Sequence, residues 1–104
     1  MINVAVIGNT NCLCNGMRLV SKYYDYDILL VSYMSCTMLA ECALGLNNDF
    51  ADAFLRNKPV FVLKNGLQYN KMSDKIVYQM YCTYRRTLQG FGVKFINSAE
   101  EIKI

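Results

Sequence analysis

Two carboxylates, Glu41 and Asp49, stand eight residues apart in 41-ECALGLNND-49. A carboxylate can attack an electrophilic carbon, and the ester that forms can be resolved by water or by a second acceptor. The chain has no histidine, which removes Ser-His-Asp and Cys-His nucleophilic pairs, imidazole general bases and histidine metal ligands together. Any catalysis must run on carboxylates, tyrosines, lysines or thiols. A second set of polar groups lies in Gly8-Asn9-Thr10-Asn11. Glycine lets the backbone approach a ligand, and a loop that leads into a helix N-terminus favours anions. Such a loop suits a nucleotide or a sugar phosphate, although it carries neither the G-x-G-x-x-G of dinucleotide binders nor the G-K-[ST] of P-loops. Ser32, Tyr33 and Ser35 follow a later apolar run and could orient a sugar held there.

The thiols and phenols invite their own readings. Cys12-x-Cys14, with Cys36 further on, lacks the two-residue gap of zinc knuckles and has no histidine to complete a set. Neither a metal nor a cofactor is expected. Cys12 or Cys14 could be reactive if a helix N-terminus lowers its pKa. Tyr78 and Tyr81 share a segment with Lys75, Arg85 and Arg86. Together they could stack a base and hold a phosphate, or form a subunit interface.

These residues need elements to hold them. Ile2 to Ile7, Ile28 to Ser32 and Val60 to Leu63 are apolar runs that read as buried strands, and Val93 to Ile96 as a fourth. Met17, Leu19, Val20, Tyr23 and Tyr24 recur near helical spacing and predict a helix over 13–24. Leu39, Ala43, Leu46, Phe50, Ala53 and Phe54 predict a single helix over 37–57, with Glu41, Asp49, Asp52 and Arg56 on its solvated face. A break at Gly45-Leu-Asn47-Asn48, with Asn48 as cap, would instead put Asp49 in a first turn. Ser73 can cap a helix over 74–88 whose inward face is Ile76, Val77, Met80, Tyr84 and Leu88, and Ser98 to Glu101 is a capping box that opens a last short helix. Strands alternating with helices imply one three-layer α/β domain over 1–104, flavodoxin-like or Rossmann-like, with four parallel strands. The strand order is 2-1-3-4 by default, or 1-2-3-4 if a strand has been lost.

The run from Gly45 through Asp49, Ala51 and Ala53 to Lys58-Pro59-Val60 resembles the nucleoside 2-deoxyribosyltransferase family, and Asp27-Ile-Leu-Leu-Val31 resembles that family's D-[IV]-V-V strand. The resemblance covers about 95 residues. It implies that Asp49 stands where the family has a nucleophilic glutamate, that Gly8 to Asn11 hold the substrate, and that an N-glycosidic bond is transferred or cleaved. Asp49 is one methylene shorter than that glutamate, Ala51 replaces a glycine, and Ser32 to Ser35 offer no acid after the strand. The segment from Ser32 to Glu41-Cys42 is also similar to the serine and glutamate of NAD-cleaving Toll/interleukin-receptor-type domains, which makes Glu41 the alternative nucleophile. A non-catalytic relative would keep the fold and bind a nucleotide, or a protein through the tyrosine-rich helix.

With 104 residues, 54% apolar and 18% charged, the chain is large enough for one core and has the composition of a folded domain. A net charge of +3 without a concentrated basic face argues against duplex nucleic acid. No apolar run approaches the roughly 18 residues of a membrane span. Five cysteines without a secretory start predict reduced thiols and a cytoplasmic setting. The expected partners are a nucleoside or nucleotide and further copies of the chain.

Overall fold

The computed structural model describes residues 1–102. Five strands, β1 (Ile2–Ile7), β2 (Met17–Val20), β3 (Ile28–Val31), β4 (Val60–Leu63) and β5 (Lys94–Ile96), form one sheet in the order β2-β1-β3-β4-β5. Every pairing is parallel. Every residue of β3 and β4 is buried, as their unbroken apolar runs require. Three α-helices follow the chain: α1 (Cys36–Ala43), α2 (Asn48–Leu55) and α3 (Lys75–Gly90).

The fifth strand corrects the predicted helix over 13–24. Met17 to Val20 pair with Ile2 to Ala5, so the apparent helical stripe is an edge strand followed by two exposed tyrosines, Tyr23 and Tyr24. The other four strands follow the order 1-2-3-4, the alternative to the default 2-1-3-4, and β2 supplies the strand that seemed lost. With it the sheet is compatible with the flavodoxin-like order 2-1-3-4-5. Parallel neighbours usually need a crossover of a dozen or more residues. Here the connection from β2 to β3 is residues 21–27 alone. Stagger permits this: β2 ends opposite Ala5 and β3 starts opposite Val4, so the chain crosses β1 without first returning along it.

The layers also differ from expectation. Ala5, Leu29, Val31, Val60 and Val62 point to the face that holds Leu39, Cys42, Phe50, Ala53 and Leu88, so all three α-helices share one side. The other face, Val4, Ile28, Leu30, Phe61 and Leu63, is covered by Cys12 to Cys14, Ala99 and Ile102. Those residues belong to short 3-10 turns and their flanks.

The predicted single helix over 37–57 is two. Gly45, at φ +77°, ends α1, and Asn47, not Asn48, caps α2 by accepting from Phe50 N. Leu46 falls in the break and is exposed. α3 is capped by Asp74, not Ser73, its side chain accepting from Val77 N. Of the five residues expected to face inward from α3, only Leu88 is fully buried, and Ile76 and Met80 face solvent. At the far end the Glu101 carboxylate accepts from Ser98 N at 2.9 Å, over a single 3-10 turn.

Candidate functional site

Strand order reverses between β1 and β3, and in open parallel sheets ligands bind beyond the carboxyl ends of the strands at that point. Gly8 and Ser32 stand there. Gly8 adopts φ +105°, and a Cβ on it would lie 2.6 Å from Ser32 Oγ and 2.9 Å from Tyr33 N, so only glycine lets the two loops meet. Ser32 Oγ donates to Asn9 O at 2.7 Å, and Asn9 Oδ1 accepts from Asn11 N at 2.8 Å. The loop is thereby folded on itself. Thr10 and Asn11 are exposed, as is the ring of Tyr33. Ser35 caps α1, its hydroxyl accepting from Met38 N at 3.1 Å. Of the predicted substrate-binding residues, Gly8, Asn9, Ser32 and Tyr33 are therefore brought together, while the Ser32 and Ser35 hydroxyls already hold backbone.

A third loop completes this rim. Gly66 packs so closely that a Cβ would lie 2.0 Å from Ser32 O. Met34 N donates to Gly66 O, Gln68 N donates to Met34 O, and Gln68 Oε1 accepts from Cys36 N at the start of α1. Gly66 and Gln68 are not among the substrate-binding residues expected from sequence; the turn-forming Asn65-Gly66 pair is the one local signal of this loop.

The loop continues into a cleft of about 820 Å3 along α3, lined by Asn70, Asp74, Lys75, Tyr78, Cys82 and Arg86 among others. Lys75, Tyr78, Cys82 and Arg86 recur at intervals of three or four residues and so form one stripe of the helix. Neither Lys75 nor Arg86 makes an ion pair among the described residues. Beneath the stripe Tyr69 is fully buried, with ring centroids 5.5 Å from Tyr78 and 6.3 Å from Tyr81, and among the described residues its hydroxyl makes no hydrogen bond of good geometry. Burial raises the Tyr69 pKa above the usual phenol value, partly opposed by Arg85, whose guanidinium carbon lies 6.0 Å from the ring centroid.

The two carboxylates sit elsewhere. Glu41 is on an exposed face in the last half of α1. Asp49 is in the first turn of α2, where it pairs with Lys22 at 3.1 Å and raises the lysine's pKa. Among the described residues, no hydrogen bond or ion pair links either acid to Gly8–Asn11, Ser32, Tyr33 or Ser35. The acids converge on Cys42 instead. Burial first, then Glu41 and Asp49, push that thiol up to about 12.

Cys12 does not carry the low pKa that a reactive thiol needs. Its thiol donates to Asn9 O at 3.3 Å, and burial raises its pKa. Cys14 Sγ lies 3.6 Å from Met17 Sδ. Among the described residues no three of His, Cys, Asp and Glu are grouped to hold a metal ion. Nor is any of their helices long and apolar enough to cross a membrane.

Fold and rim together define a class: a parallel α/β domain of flavodoxin-like strand order with polar loops at its switch point. Comparison of the chain with protein-family models, with curated proteins and with solved structures gives no match.

Proposed function

We propose that this domain binds a nucleoside phosphate without cleaving it, at the carboxyl-end rim where the α3 cleft opens. One observation carries the reading: Lys75 and Arg86 line that cleft without ion-pair partners among the described residues, on the same helical stripe as the Tyr78 ring. They lie 11 residues apart, roughly 16 Å at 1.5 Å per residue. That length accommodates a base on Tyr78 and phosphate at Arg86, eight residues further along the stripe. The carboxylates take no part, because Asp49 neutralises Lys22 and Glu41 faces outward.

Calorimetric titration with nucleosides and with their mono- and diphosphates tests this. Phosphorylated ligands should bind more tightly than the bare nucleosides. Removing a charge-assisted contact of about 1.5–3 kcal/mol should make Arg86→Ala weaker by roughly 10- to 100-fold. Equal binding of nucleoside and nucleotide, or indifference to Arg86→Ala, would refute it.

A second reading has an observation of its own. Gly45 breaks the helix and leaves Asp49 in a first turn, as the deoxyribosyltransferase resemblance requires of a nucleophile. Under this reading Asp49 leaves Lys22 to attack the anomeric carbon, and the base departs. Chromatography for free base released from nucleosides or for nicotinamide from NAD decides it: release abolished by Asp49→Asn or Glu41→Gln would replace the binding reading with catalysis.

A further inference from the structure

At the amino ends of the strands lies a second cavity, of about 650 Å3, with Phe50, Phe54, Pro59 and Phe91 among its walls. The aromatic wall is continuous: Phe50 and Phe54 meet edge to face at 6.2 Å, and Phe54 and Phe91 do the same at 6.2 Å. Among the described residues the only formal charge lining the groove is Lys58, which is paired with Asp25 at 3.3 Å. Apolar side chains stand out around it. Leu44 and Leu46, 64% and 66% exposed, flank the lining residue Gly45. Leu55, 84% exposed, lies one turn beyond the lining residue Ala51 on the same side of α2. Phe91, itself in the wall, is 58% exposed.

We infer that this face is the interface between two copies of the chain, paired about a two-fold axis, with the leucines of each seated on the aromatic groove of the other. One surface carries both the protruding side chains and the groove that accepts them, which is what an isologous contact needs. Area points the same way. At roughly 150–200 Å2 for each large apolar residue, the four exposed side chains present roughly 500 Å2. That lies within the roughly 300–600 Å2 of the largest apolar patch on a monomer, a patch that is often functional, and is over half of the roughly 800 Å2 per partner that a standard interface buries. The groove walls and the backbone of residues 44–47 supply the remainder. Because the face is close to neutral, the net charge of +3 does not oppose the approach. The α3 cleft shares no lining residue with this groove, so it lies outside the contact and the inference is independent of the nucleotide reading.

Sedimentation velocity on the whole chain over a wide concentration range tests it. The wild type should show twice the chain mass of 11.9 kDa. Leu55→Glu and Leu46→Glu should each weaken the dimer at least about tenfold, as expected when a central apolar contact gives way to a charge. Both side chains are exposed, so the monomer should fold normally. Ile76→Glu, equally exposed but on α3, should leave the dimer intact. A wild type that is monomeric at every concentration would overturn the inference. So would a dimer that survives both leucine substitutions, or one broken by Ile76→Glu instead.

Discussion

Replacing Gly66 by alanine puts a methyl carbon 2.0 Å from Ser32 O, 2.7 Å from Ser32 C and 3.1 Å from Tyr33 Cα. All three are backbone atoms, so no side chain can swing aside. Ordinary contact begins at 3.4 Å, and the loop carrying Gly66 must therefore retreat by more than 1 Å. The retreat stretches three hydrogen bonds: Met34 N to Gly66 O at 2.9 Å, Gln68 N to Met34 O at 3.0 Å, and Cys36 N to Gln68 Oε1 at 3.0 Å. With about 0.5–1.5 kcal/mol for each bond and about 1–3 kcal/mol for overpacking, the loss should be about 2.5–7.5 kcal/mol. That is a large share of the roughly 5–15 kcal/mol by which domains are stable. Urea unfolding followed by circular dichroism measures it directly, and the melting temperature should drop by about 12 °C or more. Gly90→Ala is the matched control. Its added Cβ meets nothing within 4 Å in the last turn of α3, so it should stabilise by about 0.5–1 kcal/mol. A cost below about 1 kcal/mol for Gly66→Ala would refute the close approach of the two loops.

The Cys42 thiol, held up to about 12 in the fold and free to ionise near 9 once unfolded, leaves stability unaffected below pH 9 and lowers it as pH rises from there toward 12. Urea midpoints on either side of pH 9 should show the decline, and Cys42→Ala should make it shallower, the raised Cys12 and Tyr69 groups supplying the rest. Asn47→Ala removes the α2 cap and should cost about 1 kcal/mol, read from the same unfolding curves. Tyr69→Phe deletes a buried hydroxyl that makes no well-formed hydrogen bond among the described residues, so it should be neutral or stabilising in a thermal melt, whereas losing a bonded hydroxyl would cost stability. Asp49→Asn breaks a half-exposed ion pair and should cost under about 1 kcal/mol, a difference that disappears at high salt.

Unbroken apolar runs made β3 and β4 legible, because a strand buried on both faces has no alternation to disguise it, and β1 was legible from a β-branched apolar run interrupted by Asn3 alone. β2 was not. Two of its four residues, Arg18 and Leu19, are exposed at an edge, and so are Tyr23 and Tyr24, which extended the apparent helical stripe. Pairing with β1 decided that segment, and no local pattern records pairing. The helix break was visible in Gly45 and the asparagines, yet the apolar period ran through it from Leu39 to Phe54. The rim loop was legible in part. Gly8 and its asparagines announce a polar turn, but the contacts of Ser32 and Gly66 join loops that lie far apart in sequence. The α3 cleft follows from residues already picked out, Lys75, Tyr78 and Arg86, once the helix is known to keep that face exposed.

The short crossovers bear on the order in which the sheet assembles. Paired residues move steadily apart in sequence: Ile2 with Met17 across 15 positions, Val4 with Ile28 across 24, Leu29 with Val60 across 31, and Phe61 with Lys94 across 33. Closing the longest of these loops in place of the shortest costs only about 0.7 kcal/mol more, since the penalty grows with the logarithm of length. Burying one leucine contributes about 1.5–3 kcal/mol, which outweighs that difference. The folding nucleus should therefore form where burial is deepest, at β3 and β4 with Leu39 and Phe50 packed on them, and not at the nearby β1–β2 pair. The edge strand that costs least to close would then be among the last to dock, and substitutions in β2 should speed unfolding while leaving the refolding rate unchanged.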